Sequence, residues 1–273
     1  MNNREFSLAY LTYAPLPPPS ALDLAARLGY QAIGLRVFPA VTGGAYQNLI
    51  DDKTLRRDTL AAIRSSGVSI FDVEIIRIGA DFKPESCLAF LELCADMQAK
   101  AVLVAGDDPD ISRMTASYAA FCGLANEYNL TADLEFMPWT EVPDARSALS
   151  IVQAAQQPNG RVLVDTLHVG RSNTTLNDLA AIPSELLSYA QICDAVAGRN
   201  FSVEEMTYTA RCARLLPGEG NIDITGIMKQ LPEELPLSIE IPNEERIHQL
   251  GIDAWAKEAL QAARRLFVPK TND

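Results

Sequence analysis

The chain predicts one α/β domain over residues 1–273, folded as a (β/α)8 TIM barrel. Three observations lead there. Eight short apolar, β-rich runs recur roughly every 30 residues, and each is followed by a helical stretch. Strands that alternate with helices pair in parallel. The length of 273 residues suits eight such units. An open doubly wound sheet is the alternative. No Gly-x-Gly-x-x-Gly follows the first strand, so a dinucleotide-binding version of it has no support.

The elements follow in order. Phe6–Thr12 reads as the first strand, and Ser20–Leu28 as a helix with a serine at its start. Ala32–Val37 is the second strand and Lys53–Ser65 its helix, with apolar residues three and four apart. Ser69–Ile75 then precedes the helix Glu85–Gln98, and Ala101–Ala105 precedes Ile111–Tyr128. Ala132–Phe136 precedes Val142–Ala155. Arg161–Asp165 leads to a weaker pattern over Leu176–Leu187, which Pro183 interrupts. Tyr189–Cys193 leads to Ile222–Gln230, and Leu237–Ile241 to Asp253–Phe267. Gly29, Gly67 and Gly160 fall where helices should stop.

Composition excludes several classes. The formal net charge is -12, and phosphate backbones and anionic lipids attract basic surfaces, so neither nucleic acid nor membrane is expected as a partner. No apolar run approaches the roughly 20 residues of a membrane helix. MNNREFSLAY lacks the basic-then-apolar layout of a secretory signal, so a cytoplasmic location is expected. The five cysteines form no Cys-x-x-Cys pair and are expected as free thiols.

The informative residues stand at the ends of strands. Chemistry in such a barrel sits at the C-terminal mouth. Strand five ends in ADLEF with Glu135, strand six in VLVDTLH with Asp165, strand seven carries Gln191, and strand eight reads LSIEI with Glu240. Alternation turns these four polar residues inward. Three converging carboxylates repel unless a cation joins them. Carboxylate and amide oxygens are hard ligands, so one divalent ion is expected, Mn2+ or Mg2+ first and Co2+ or Zn2+ second. Asp194 is set aside as a cap for the following loop. His168, just past strand six, is a candidate hydrogen-bond donor or acid/base.

These motifs resemble the xylose-isomerase-like TIM barrels. The likeness rests on LEF at Glu135, DTLH at 165–168, LLPGEGNID at 215–223 and SIEI at Glu240, and it spans most of the chain. In the tagatose 3-epimerase branch the ligands are Glu, Asp, His and Glu from strands five to eight. The resemblance therefore implies Glu135, Asp165 and Glu240 as metal ligands, with Gln191 standing where that branch has histidine. Arg214, three residues before the proline of PGEG, matches a substrate-binding arginine. Gln191 with Asp194 and Ala195, the pair Arg211 and Arg214, and Arg77 after strand three are similar to the bacterial 3-dehydroshikimate dehydratases. EFMPWTEV after strand five departs from them.

The expected chemistry is proton abstraction beside a carbonyl, through an enediolate that the metal stabilises. Glu135 and Glu240 are the candidate bases, with His168 assisting. Glu74, Arg77, Trp139, Arg171, Arg211 and Arg214 are candidate substrate-binding residues. The arginines suit a small polyhydroxylated carbonyl compound carrying a carboxylate or phosphate. Isomerisation or epimerisation is the first reading and dehydration the alternative. A non-catalytic ligand-binding barrel is the third. An apurinic endonuclease of this fold needs many histidines, and the chain has two. A homodimer is the default assembly.

Overall fold

The computed structural model describes residues 4–40 and 43–267. Eight parallel strands close into a barrel in chain order: β1 (Phe6–Leu8), β2 (Ala32–Arg36), β3 (Ser69–Ile78), β4 (Ala101–Gly106), β5 (Thr131–Glu135), β6 (Gly160–Asp165), β7 (Ala190–Ile192) and β8 (Leu237–Ile239). The last strand pairs with the first, Ser7 opposite Ser238, so no edge is left open.

The helices pack outside. Their apolar stripes meet the outward residues of the strands in one large core, as in Ile252–Arg265, which buries Trp255, Ala256, Ala259, Leu260 and Ala263. A fully buried leucine or similar side chain there stabilises the fold by about 2 kcal/mol. Trp255 satisfies its ring N–H on Ile241 O at 2.8 Å. A second, smaller core fills the barrel itself, with Ala32, Phe71, Ala101, Leu103, Ala105, Leu163 and Tyr189. Three alanines on β2 and β4, Ala32, Ala101 and Ala105, keep this inner core open. That leaves room for Phe71 and Tyr189, whose rings meet at 5.1 Å.

Several boundaries depart from the sequence reading. β1 ends at Leu8, because Tyr10–Tyr13 turns into a short helix. β3 runs to Ile78 and carries two register shifts, one against β2 and one against β4. Each shift sets two β3 residues against one on its neighbour. The segment after β6 divides into Thr166–Arg171, Leu176–Ala180 and the 3-10 turn Ser184–Leu186, broken at Pro183. Val203–Cys212 and Glu244–Leu250 are helices that the reading left unassigned. Gly160 begins β6, so only Gly29 and Gly67 are the left-handed helix stops.

Candidate active site

The mouth is built from strand ends and from one loop. At the end of β6, Asp165 serves two purposes. Its Oδ1 accepts from Leu167 N–H at 2.8 Å, capping the helix Thr166–Arg171, and its Oδ2 faces Arg214 Nη1 at 2.6 Å. The cap places His168 one turn on, with Nε2 3.5 Å from Asp165 Oδ2 and 3.4 Å from Glu135 Oε1. Glu135, Asp165 and His168 thus offer donor atoms that all lie within 4.8 Å of one another, and all three are buried. Trp139 stands edge-on to His168 at 5.0 Å between ring centres.

Arg214 crosses this ring of acids. Its guanidinium bonds Asp165 and, through Nη2, Glu240 Oε2 at 2.6 Å. A loop held by Asp194 places it. Asp194 accepts from the N–H groups of Ala195, Gly218 and Ile222, and its own backbone pairs with Leu215. Asp194 is thus the loop cap that the sequence reading set aside.

The charges around Arg214 do not balance. When ionised, Glu135, Asp165 and Glu240 bring three negative charges against the one positive charge of Arg214. Burial opposes the charge on Arg214, but Asp165 and Glu240 hold its pKa well above the ordinary arginine value. Burial raises Glu240 well above the ordinary carboxylate range. Arg214 pulls it down, and Glu74, Asp165 and Glu135 push it further up. Burial is the largest of these influences, and the neighbouring carboxylates add to the rise at Glu240. Gln191, on β7 beside Asp165, is 1% exposed, and its Oε1 has no hydrogen-bond partner among the described residues. A donor set of carboxylate, imidazole and amide oxygen, with two negative charges unmatched, fits one divalent cation.

The mouth opens into a small cavity lined by Arg36, Glu74, Arg77, Glu135, Trp139 and His168. Arg211, Arg214 and Glu240 complete its polar wall. Other expected residues sit differently. Arg77 reaches the cavity, but Asp107 holds its guanidinium through two bonds of 2.7 Å. Arg171 lies elsewhere: its guanidinium stacks on Phe201 at 3.5 Å, and it is not among the residues lining this cavity. Arg214, a candidate substrate-binding residue, lines the cavity, and two of its N–H groups are engaged by Asp165 and Glu240. Arg36 was missed. It ends β2 beside Glu74, and the signal that found the acids, a polar residue closing an apolar strand, was there to be read.

With this geometry in place, comparison with known proteins is informative. The model of the xylose isomerase-like TIM barrel family matches residues 22–266. The chain belongs to that family. No curated protein matches. Among solved structures, the IOLI protein with a bound zinc atom aligns with a TM-score of 0.76 at 15% identity, covering 96% of this chain and 97% of that one. D-psicose 3-epimerase with D-tagatose, from Clostridium cellulolyticum H10, aligns at 0.71 and 13% identity, covering 96% and 99%. The probable 3-DHS dehydratase AsbF from Bacillus anthracis aligns at 0.72 and 13%, covering 95% and 98%. A xylose isomerase-like TIM barrel/4-hydroxyphenylpyruvate dioxygenase fusion protein aligns at 0.77 and 17%, covering 96% of this chain and 42% of its own. At these identities the likeness shows the fold. No helix among the described residues is long and apolar enough to cross a membrane.

Proposed function

We propose that the chain is a divalent-metal-dependent isomerase or epimerase of polyhydroxylated carbonyl compounds. The observation that carries this reading is the convergence of Glu135, Asp165 and His168 with a surplus of two negative charges around Arg214. Glu135, Asp165 and Glu240 would hold the ion, with Gln191 and His168 as neighbouring donors. Bound there, the ion would polarise a carbonyl and stabilise the negative oxygen that forms.

The chain's own residues do the rest. Glu135 takes the proton from the carbon beside the carbonyl, because a carboxylate has a second oxygen free to act as base. Glu240 stands just past the end of β8 and handles the proton from its own side of the cavity. His168 Nε2 lies beside Glu135 and Asp165, where it can bind a substrate oxygen. Trp139 walls the cavity and excludes water. Arg214 orients Asp165 and Glu240, while Arg211, Arg77 and Glu74 border the space left for substrate. Dehydration is the second reading. It is favoured by Gln191, the amide in place of the epimerase histidine, and by the fold likeness to a probable 3-DHS dehydratase.

Incubation in deuterated water tests the reading. With Mn2+ supplied, D-tagatose, D-allulose or 3-dehydroshikimate should gain deuterium beside the carbonyl, read by NMR. Glu135→Gln should lose that exchange while retaining the fold. Exchange at the normal rate in that variant would remove Glu135 as the base.

A further inference from the structure

Glu74 reaches the cavity because β3 breaks the ordinary alternation of faces. Val73 pairs with Val102 and Ile76 with Val104, so Glu74 and Ile75 together oppose Leu103. Strict alternation would send these two neighbours to opposite faces of the sheet. Here both line the cavity. Glu74 also stands opposite Arg36, at the end of β2, and its Oε2 accepts from Arg36 Nη2 at 3.2 Å.

The ion pair is only half satisfied. Glu74 is 4% exposed, and its Oε1 has no hydrogen-bond partner among the described residues. Arg36 rests over the Tyr10 ring at 4.9 Å, and its buried Nε also lacks a partner among them. Buried polar groups are normally paired, because leaving one unmet is costly. The missing parts are a donor for Glu74 and an acceptor for Arg36. A hydroxyl is both. A phosphate or ionised carboxylate only accepts, and it would meet the Glu74 oxygen as a like charge. An ammonium group only donates, and it would meet Arg36 in the same way.

Position decides which part of a substrate arrives there. The barrel closes in chain order, so β2 and β3 lie across from β6 and β7. Glu135, Asp165 and Gln191 stand on β5, β6 and β7. One small cavity joins the two sides, lined by Glu74 and Arg36 as well as by Glu135 and His168. A carbonyl held beside Glu135 therefore directs the rest of a short carbon chain toward Glu74 and Arg36. Two other arginines of the cavity are already matched, Arg77 by Asp107 and Arg214 by Asp165 and Glu240.

We propose that Glu74 and Arg36 form a hydroxyl-recognition subsite, which selects substrates whose end remote from the carbonyl is an uncharged polyol and rejects a phosphate or carboxylate there. This rests on the reading above, in which the carbonyl is held beside Glu135, Asp165 and His168. In the subsite a substrate hydroxyl donates to Glu74 Oε1 and accepts from Arg36. The ion pair stays formed and no proton changes hands.

Calorimetric titration of the full, Mn2+-loaded chain tests this without requiring turnover. The probes are D-allulose and ribitol, set against D-allulose 6-phosphate and ribitol 5-phosphate. Each neutral probe should bind about 10-fold or more tightly than its phosphate. Glu74→Gln keeps the shape and removes the charge. It should weaken the neutral probes about 10-fold and tighten the phosphates, which then meet Arg36 without a facing carboxylate. A merely structural role would weaken every probe alike. The proposal is overturned if the unmodified chain binds neutral and phosphorylated probes equally, prefers the phosphates, or binds no neutral probe, whether or not the variant folds. Parallel weakening of all probes in Glu74→Gln, or no change, overturns it too. Deuterium exchange on the same samples separates the two readings. Ribitol binding that depends on Glu74, with no exchange into D-allulose, keeps the subsite and removes the isomerase. Exchange with affinities that Glu74→Gln leaves unchanged does the reverse.

Discussion

Arg214 links the two halves of the acid ring, and its removal would expose what the pairing does. Arg214 is 2% exposed, and its guanidinium bonds Asp165 and Glu240. A buried ion pair gains little over an apolar pair, but breaking one side leaves bare charge in a low-dielectric interior. Arg214→Met should therefore lower the unfolding free energy by about 3–5 kcal/mol, measured by urea denaturation at neutral pH. Asp165 shows the same economy from the other side. One oxygen caps a helix and the other meets Arg214, so the carboxylate is both a structural cap and a member of the site.

At the scale of elements, the PGEG loop governs whether Arg214 arrives. Gly220 lies against the Ala195 carbonyl and the Asp194 carboxylate so closely that an added Cβ would overlap both. Backbone cannot yield as a side-chain tip does. Gly220→Ala should cost about 2 kcal/mol through overpacking, measured by urea denaturation, and should loosen the Arg214 loop. The eight strands were legible because barrel strands are short apolar runs bounded by helix caps and stops. Their inward acids were legible too, since period-two alternation assigns a face to each residue. What stayed hidden depends on contacts distant in sequence. Arg214 to Asp165 and Glu240, Arg77 to Asp107, and Arg171 on Phe201 each require a folded loop to be known first. Thr166–Arg171 is too short to show a period. The helix Val203–Cys212 was readable in principle from its capping box, Ser202 with Glu205, although its apolar stripe is thin.

The whole molecule carries its acids unevenly. Most of the negative charge faces solvent, but Asp72, Asp133 and Glu74 lie inside the barrel beneath and beside the site. Asp133 shows the cost. Burial raises its pKa to about 6, although Thr131 and Ser188 hydroxyls work against the rise. An unfolded aspartate titrates near 4. Between those values the folded chain keeps a proton that the unfolded chain loses, so stability falls as pH rises through that window and is flat above it. The drop is roughly 3 kcal/mol at about 1.4 kcal/mol per pKa unit. Asp133→Asn should flatten the profile between pH ~4 and ~6 and be more stable than the unmodified chain at neutral pH, read from urea midpoints. A parallel fall in both proteins would show that Asp133 is not the group responsible.

The account as a whole turns on three carboxylates facing one guanidinium and lacking two positive charges. Titration of the metal-free protein with Mn2+, followed by electron paramagnetic resonance, tests that imbalance most directly. The account predicts one tightly bound ion per chain, lost in Asp165→Ala and weakened in Glu135→Gln. No saturable Mn2+ binding, or binding that Asp165→Ala leaves unchanged, would contradict it.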